Sequence, residues 1–169
     1  MPAADLRAVM AADPGAVFET VAAEHDVAPL AVLEAMPEGM ARFAPGEMFA
    51  DAMADIAAWG DVTVIVHTAD GIFEFTGPVP PGKEGRGYFN LSGRSGFHGH
   101  LRPERCAAIA FVEREFMGRA SASVLFVNSD GGFMFKVFVG RAEKGELRAD
   151  QLKSFRRLAG QVCEATEEA

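Results

Sequence analysis

The sequence is poor in cysteine, and its two cysteines, Cys106 and Cys163, lie far apart. Two cysteines cannot build the disulfide framework of a small secreted protein, and their separation does not fit a zinc motif. The opening MPAADLRAVMAADPG lacks a basic segment followed by an apolar stretch, so we expect no secretory signal. No run approaches the roughly 18 apolar residues of a membrane helix. We therefore expect a cytoplasmic protein that has no membrane partner.

Basic residues are scarce in the first 60 positions, which hold only Arg7 and Arg42 against ten acidic residues. Such an acidic region argues against a nucleic-acid partner, because nucleic acid requires a basic surface. The remaining chain has balanced charge, but residues 83–105 are locally basic. This stretch carries two acidic residues and five basic ones, Lys83, Arg86, Arg94, Arg102 and Arg105.

The chain is nevertheless long and apolar enough, at 169 residues and 49% hydrophobic, to fold around a substantial core. We predict an α+β fold in which helices precede a large antiparallel sheet that is followed by a helix. One domain is expected over 1–169, with a helical part at 1–58, the sheet at 61–140 and the last helix at 149–165. The Asp13-Pro14 pair predicts a helix start, Pro29 opens a second helix, and a third covers 46–58.

Strand signals begin after Gly60. Hairpin-type dipeptides, Asp70-Gly71 and Asp130-Gly131, separate β-branched and aromatic runs. The predicted strands cover residues 61–68, 72–76, 88–91, 97–102, 106–116, 120–128 and 133–139. Residues 78–87, rich in proline and glycine, are expected to form a loop.

Four histidines are candidates for chemistry. His25 falls on a surface helix between acidic neighbours and is expected to be solvated. His67 shares one face of its strand with Thr63 and Ile65, and His98 and His100 leave their strand on the same side. Three histidines on neighbouring strands favour a ligand site, although a hydrogen-bonded structural role stays open for each.

A metal site of the cupin type is a weaker alternative. Gly93, His98, His100 and Glu104 approximate the first cupin motif, but the gap after Gly93 is one residue short. No histidine follows His100 to supply the second motif. Neither cysteine nor any serine carries a nucleophile signature.

Haem fits the pattern better. Its propionates need Arg or Lys, its ring needs apolar side chains, and its iron needs a histidine. The basic 83–105 stretch and the strand histidines together offer these groups, although an ordinary solvated basic surface remains an alternative.

Several ordered segments identify the family that the sequence resembles. They include WGDVTVIVHTADGIFEF, GRGYFNLSGRSGFHGHLRPERC and VEREFMGRASASVLFVNSDGGFMFKVFVGR. With these segments the chain resembles, over about residues 13–160, the ChuX/HutX family of haem-utilisation proteins. The resemblance implies a cytoplasmic haem carrier or store that has the fold of one half of a HemS-type protein and forms a homodimer. Its cargo would be b-type haem, held reversibly, and its acceptor a haem-degrading enzyme.

The resemblance also implies the iron ligands, His67 of VHTAD and His100 of the GH pair. His98 is an extra histidine in this chain that can compete with them, and Met117 is a further possible ligand for which packing is the expected role. Arg102, Arg94, Lys83 and Arg86 are the expected haem contacts. We expect no catalytic residues, while a haem-degrading enzyme and an interaction module that uses the acidic helices remain alternatives.

The strand FMFKVFVG adds a physical argument for the dimer. Phe133, Phe135, Val137 and Val139 are expected on one apolar face, and the opposite face is also largely apolar. Either a second copy or the amino-terminal helices must cover that opposite face.

Overall fold

The computed structural model describes residues 3–93 and 96–163. Arg94, one of the expected haem contacts, lies outside the described residues, and so does the predicted end of the last helix beyond residue 163. Among the described residues no helix is long and apolar enough to cross a membrane.

The described part of the chain contains five α-helices and nine strands. The helices are α1 (Ala3–Ala12), α2 (Phe18–Glu24), α3 (Pro29–Glu34), α4 (Phe49–Ile56) and α5 (Ala149–Val162). The strands are β1 (Ala41–Pro45), β2 (Asp61–Thr68), β3 (Gly71–Pro78), β4 (Gly82–Gly85), β5 (Tyr88–Leu91), β6 (Gly99–Leu101), β7 (Cys106–Phe116), β8 (Arg119–Asn128) and β9 (Phe133–Phe138). Short 3₁₀ turns at Gly46–Met48 and Pro103–Arg105 precede α4 and β7.

Six strands form one antiparallel sheet in the order β1-β7-β8-β9-β2-β3. Its centre is the long β7–β8 hairpin, whose two strands pair from Cys106 and Asn128 to Phe116 and Arg119. The predicted α+β fold with a large antiparallel sheet and a carboxy-terminal helix is therefore confirmed.

Helices α4 and α5 cover one side of the six-stranded sheet. Phe49 of α4 lies 5.4 Å, between ring centroids, from Phe126 of β8, and Phe155 of α5 lies 5.5 Å from Phe111 of β7. Val62 and Val64 of β2 are buried in the same cluster. The apolar core on this side is the larger of two. We call this side the inner side of the sheet.

Helices α1–α3 cover the opposite side, which we call the helical-cap side. Met10, Phe18 and Leu33 are buried there against Val112 of β7 and Leu125 of β8. The amino-terminal helices thus cover the second apolar face of the large sheet within one chain. Where these helices lie on it, that face does not need a second copy to cover it.

A second, three-stranded sheet has the order β4-β5-β6. One face of it is apolar, since Phe89 and Leu91 of β5 are buried in the inner core, where Phe89 lies 5.4 Å from Phe49. The small sheet therefore packs on the inner side of the large one. Its other face carries Tyr88 and Asn90, which alternate with the buried pair.

The structure corrects several sequence-based predictions. The region 1–58 is not helical throughout, because β1 forms the edge of the large sheet beside β7. The first predicted helix start is also wrong, since α2 begins at Phe18 rather than after Asp13. The antiparallel region 61–140 is two sheets rather than one, and β4 forms within the segment expected to be a loop. Both missed strands lack the β-branched residues that mark strands, and pairing with a neighbour creates them.

The faces of β9 also differ from the prediction. A register irregularity between Phe126 and Val127 breaks the alternation of the β8–β9 pair. Phe133 consequently packs on the helical-cap side, 6.1 Å from Phe18, whereas Phe135 lies on the inner side near Phe126.

Candidate functional site

The exposed face of the three-stranded sheet brings several predicted site residues together. Lys83 of β4 is opposite Asn90 of β5, and Asn90 is opposite His100 of β6. Residues opposite each other in a sheet point to the same side, so these three side chains share the exposed face. We call this surface, with Tyr88, Arg86 and Arg102, the outer face of the small sheet.

A cavity of about 570 Å³ opens on the outer face, lined by Gly85, Arg86, Tyr88, Asn90 and His100. This volume lies within the range of about 300–1,000 Å³ that is common for small-molecule sites. Aromatic, cationic and imidazole groups therefore line one accessible groove.

Hydrogen bonds fix the groups in the groove. His100 Nδ1 lies 2.6 Å from Asn90 Oδ1, and the His100 ring lies 5.8 Å, between centroids, from Tyr88. Arg102, just after β6, donates from Nη2 to Tyr88 Oη at 2.9 Å, and its guanidinium carbon lies 4.9 Å from the Tyr88 ring centroid.

Arg86 reaches the groove from the tip of the β4–β5 hairpin. Its φ of 56° and the φ of 79° at Gly87 place both residues in the left-handed region. A two-residue hairpin turn of this kind needs positive φ at both positions. A side chain with a β-carbon is strained there, and the strained position holds a cation beside the groove.

His67 lies elsewhere, on the helical-cap side of the large sheet. Its Nδ1 is 3.2 Å from Glu19 Oε1 of α2, and the same oxygen lies 2.5 Å from Lys136 Nζ of β9. We call these three residues the cap cluster. The pKa of Lys136 is lowered by burial, and its hydrogen bond to Glu19 opposes part of that shift.

The predicted convergence of three histidines is therefore not found within one chain. His67 faces the helical cap, whereas His100 belongs to the small sheet on the inner side, so the large sheet lies between them. His98 is exposed in the segment before β6. The described residues contain no group of three His, Cys, Asp or Glu that could hold a metal ion, so the cupin-like alternative has no structural support.

Met117, for which packing was expected, is instead exposed. It occupies the tip of the β7–β8 hairpin with 83% of its surface accessible, next to a second cavity of about 680 Å³ beside the α1–α2 loop. The packing interpretation of Met117 is wrong.

Tyr88, Asn90 and Glu19 were missed in the sequence. The alternation of YFNL already places Tyr88 and Asn90 on the face opposite to Phe89 and Leu91, and that pattern could have indicated them. Glu19 had no comparable signal, because its partners His67 and Lys136 lie far along the chain.

Comparisons with known proteins agree with this architecture. The family model described as haem utilisation ChuX/HutX matches residues 42–158. The intracellular heme transport protein HutX of Vibrio cholerae is 37% identical over 142 residues, which cover 83% of this chain and 74% of HutX.

Solved structures share the fold. A protein from Erwinia carotovora is 42% identical with a TM-score of 0.89, covering 93% of this chain and 98% of its own. The heme-binding protein ChuX is 38% identical with a TM-score of 0.84, covering 92% of this chain and 97% of its own.

A larger protein contains a similar fold. The structure of PhuS from Pseudomonas aeruginosa matches with a TM-score of 0.74 at 24% identity, over 98% of this chain but 47% of PhuS. The expectation that the fold is half of such a larger protein is thus confirmed. With the family model and HutX both covering most of the sequence, the chain belongs to the ChuX/HutX family of haem-utilisation proteins.

Proposed function

We propose that this protein binds one haem per protomer on the outer face of the small sheet and carries or stores it in the cytoplasm. The haem is b-type and is held as reversible cargo for haem-iron utilisation. The observation that carries the proposal is the groove in which His100 and Tyr88 lie beside Arg86 and Arg102. The transport and binding functions named for HutX and ChuX support it.

The groove offers suitable groups to the iron and to the propionates of haem. We assign the iron to His100, whose Nδ1 is already engaged by Asn90 and whose Nε2 is left for a metal. Arg86, Arg102 and Lys83 are assigned to the propionates, because guanidinium and ammonium groups pair with carboxylates. Arg94 and His98 belong to the same basic segment and stay candidates on sequence grounds.

Tyr88 is an alternative iron ligand in the same groove. A tyrosine oxygen can ligate haem iron, and Arg102 supplies a cation 2.9 Å from this oxygen. Substitution of each residue separately distinguishes the two ligands.

A haem titration monitored at the Soret band tests the proposal. Wild type is expected to saturate near one haem per chain. His100→Ala is expected to shift the Soret band and to lower the haem affinity at least about tenfold, because loss of even a hydrogen-bond partner of a metal ligand lowers affinity about 10–100-fold. His25→Ala, a histidine at the end of α2, is the matched control and should behave as wild type. No saturable change in wild type would reject haem binding. A wild-type spectrum in His100→Ala together with its loss in Tyr88→Phe would assign the iron to Tyr88.

The carrier role is distinguished from haem degradation by the fate of the bound haem. With ascorbate, oxygen and catalase present, a carrier is expected to keep its Soret band, whereas an enzyme converts haem to a linear tetrapyrrole. We propose a haem-degrading enzyme as the acceptor. Mixing the loaded protein with such an enzyme should speed up haem loss compared with dilution alone.

We also propose a homodimer. The edge strand β3 leaves Ile72 and Phe73 exposed at 60% and 67% on its two faces, and an apolar strand edge of this kind favours pairing with another strand. A dimer also gives His67 a role. Since the large sheet separates His67 from His100 in one chain, His67 of one copy is proposed as an iron candidate for haem bound by the other.

Light scattering at low micromolar concentration tests the dimer. Wild type is expected at about twice the 18.0 kDa of one chain, and Ile72→Lys with Phe73→Lys should give a monomer. A stable mass near 18.0 kDa for wild type would reject the dimer without affecting haem binding by His100.

A further inference from the structure

Asn90 sits at the centre of the outer face, on the middle strand of the small sheet. Its Nδ2 donates to the carbonyl oxygens of Lys83 and Gly85, each at 3.1 Å, and lies 3.4 Å from that of Tyr88. Its Oδ1 lies 2.6 Å from His100 Nδ1. One side chain thus connects the β4–β5 turn with the histidine of β6.

The orientation of the Asn90 amide is determined by its surroundings. The reverse orientation would place Oδ1 against three carbonyl oxygens, none of which can donate a hydrogen bond. Nδ2 must therefore face the carbonyls, and Oδ1 must face His100.

The amide orientation determines where the neutral His100 ring carries its proton. Oδ1 is only an acceptor, so the short contact at 2.6 Å requires a proton on Nδ1. The lone pair is then on Nε2, which is the form in which an imidazole binds a metal through Nε2.

We propose that Asn90 is a positioning residue for haem. It holds neutral His100 with its proton on Nδ1, so that Nε2 ligates the iron, and it polarises the ring less than a carboxylate would. The inference rests on the proposed function, since it takes haem as the cargo of the groove. An amide is a weaker acceptor than a carboxylate, because hydrogen bonds to ionised groups are about twice as strong. A neutral partner therefore polarises the His100 ring less than a carboxylate would and keeps haem releasable.

The cap cluster gives a contrast inside the molecule. There Glu19, a carboxylate, lies against Nδ1 of His67. A carboxylate in place of Asn90 should strengthen the iron–histidine bond of His100, and an apolar side chain should weaken it.

The first test uses the full chain without haem. Nitrogen NMR of the His100 ring in its neutral form should show the proton on Nδ1 in wild type. In Asn90→Leu the proton should move to Nε2 in a substantial fraction of molecules. A proton on Nε2 in wild type would overturn the inference, whether or not the protein binds haem.

The second test uses haem-loaded protein and measures transfer to excess apomyoglobin together with the iron–histidine stretching band of the ferrous form. Asn90→Leu is expected to release haem about 10–100-fold faster and to lower the stretching frequency. Asn90→Asp keeps an acceptor for His100, although its second oxygen then faces the carbonyl oxygens that Nδ2 contacts in wild type. Its release rate therefore combines two effects, while the stretching frequency, which reports the iron–histidine bond itself, is expected to rise.

Opposite shifts of the stretching frequency in the two variants separate an electronic role from a structural one, because loss of structure would lower the frequency or remove the band in both. A lower stretching frequency in both variants, or equal frequencies in all three proteins, would overturn the inference. If Asn90→Asp fails to fold in thermal unfolding, the ring tautomer and the Asn90→Leu stretching band still decide it. If wild type binds no haem, the proposed function fails, and the tautomer result stands apart from it.

Discussion

His67 and His100 both present Nδ1 to a side-chain oxygen from another element, yet their surroundings differ. In the cap cluster the oxygen belongs to Glu19, which also binds Lys136, and the side chains of Glu19 and Lys136 are only 19% and 10% exposed. On the outer face the oxygen belongs to Asn90, a neutral residue, and His100 itself is exposed. Charge and burial suit the cap cluster to joining helix and sheet, while neutrality and access suit the outer face to a reversible ligand.

The largest effect on this comparison is expected from Lys136→Met. It leaves the Glu19 carboxylate buried without its ammonium partner, and breaking a buried pair in this way costs about 3–5 kcal/mol of stability. Urea unfolding measures the loss, and the double variant with Glu19→Gln should recover part of it. Arg156→Gln breaks the exposed pair with Glu113 and should cost less than about 1 kcal/mol. An equal loss of unfolding free energy for the two pairs would show that the buried pair of the cap cluster stabilises the fold no more than an exposed pair does.

A smaller loss is expected from Gly82→Ala, which acts on the buried face of the small sheet. A methyl group there would overlap the ring of Phe89, which anchors the sheet in the inner core. Overpacking of this kind costs about 1–3 kcal/mol, and haem affinity should fall with it.

Gly85→Ala is the matched control for Gly82→Ala. It lies on the outer face of the same strand, and its methyl group would meet Asn90 Nδ2 at an ordinary 3.5 Å. Thermal unfolding should therefore show little change. Equal destabilisation by both variants would contradict the assignment of a buried and an exposed face.

His100→Ala should separate function from stability. The side chain is exposed, so the expected change in unfolding free energy is within about 0.5 kcal/mol, while haem affinity falls at least about tenfold. His67→Ala should differ by a clear loss of stability, since it removes a partner of Glu19. Urea unfolding and haem titration on the same samples give both quantities. Equal changes in stability for the two variants would contradict the different surroundings of the two histidines.

The smallest effect is expected from Arg102→Gln. An exposed ion pair with a propionate contributes little and is screened by salt, so affinity should fall only about two- to fivefold, with a weaker dependence on salt. Arg157→Gln, which breaks an exposed pair with Asp55, changes the net charge equally and should leave haem binding unchanged. A similar fall in both variants would point to general charge rather than to a contact at the groove.

Local patterns were enough to predict most elements of the fold. The β-branched run from Asp61 and the apolar run from Cys106 begin strands at those same residues in the structure. The helix predicted at 46–58 is present as α4. Strands β1 and β4 were not predictable in this way, because Ala41–Pro45 and Gly82–Gly85 have little strand propensity and form through pairing with β7 and β5.

The sequence by itself determined which chemistry is available: four histidines, a basic segment around residues 83–105, and an ordered set of motifs that indicates the family. Alternation also determined which neighbours share a face in regular strands such as β5, but not in β9, where a register irregularity interrupts it. Only the tertiary structure decided which residues meet, placing Asn90 and Tyr88 beside His100, Glu19 beside His67, and the large sheet between the two histidines. The physical reason is that a side-chain site depends on how distant segments pack, and a register irregularity or a second sheet changes that packing without leaving a periodic signal in the sequence.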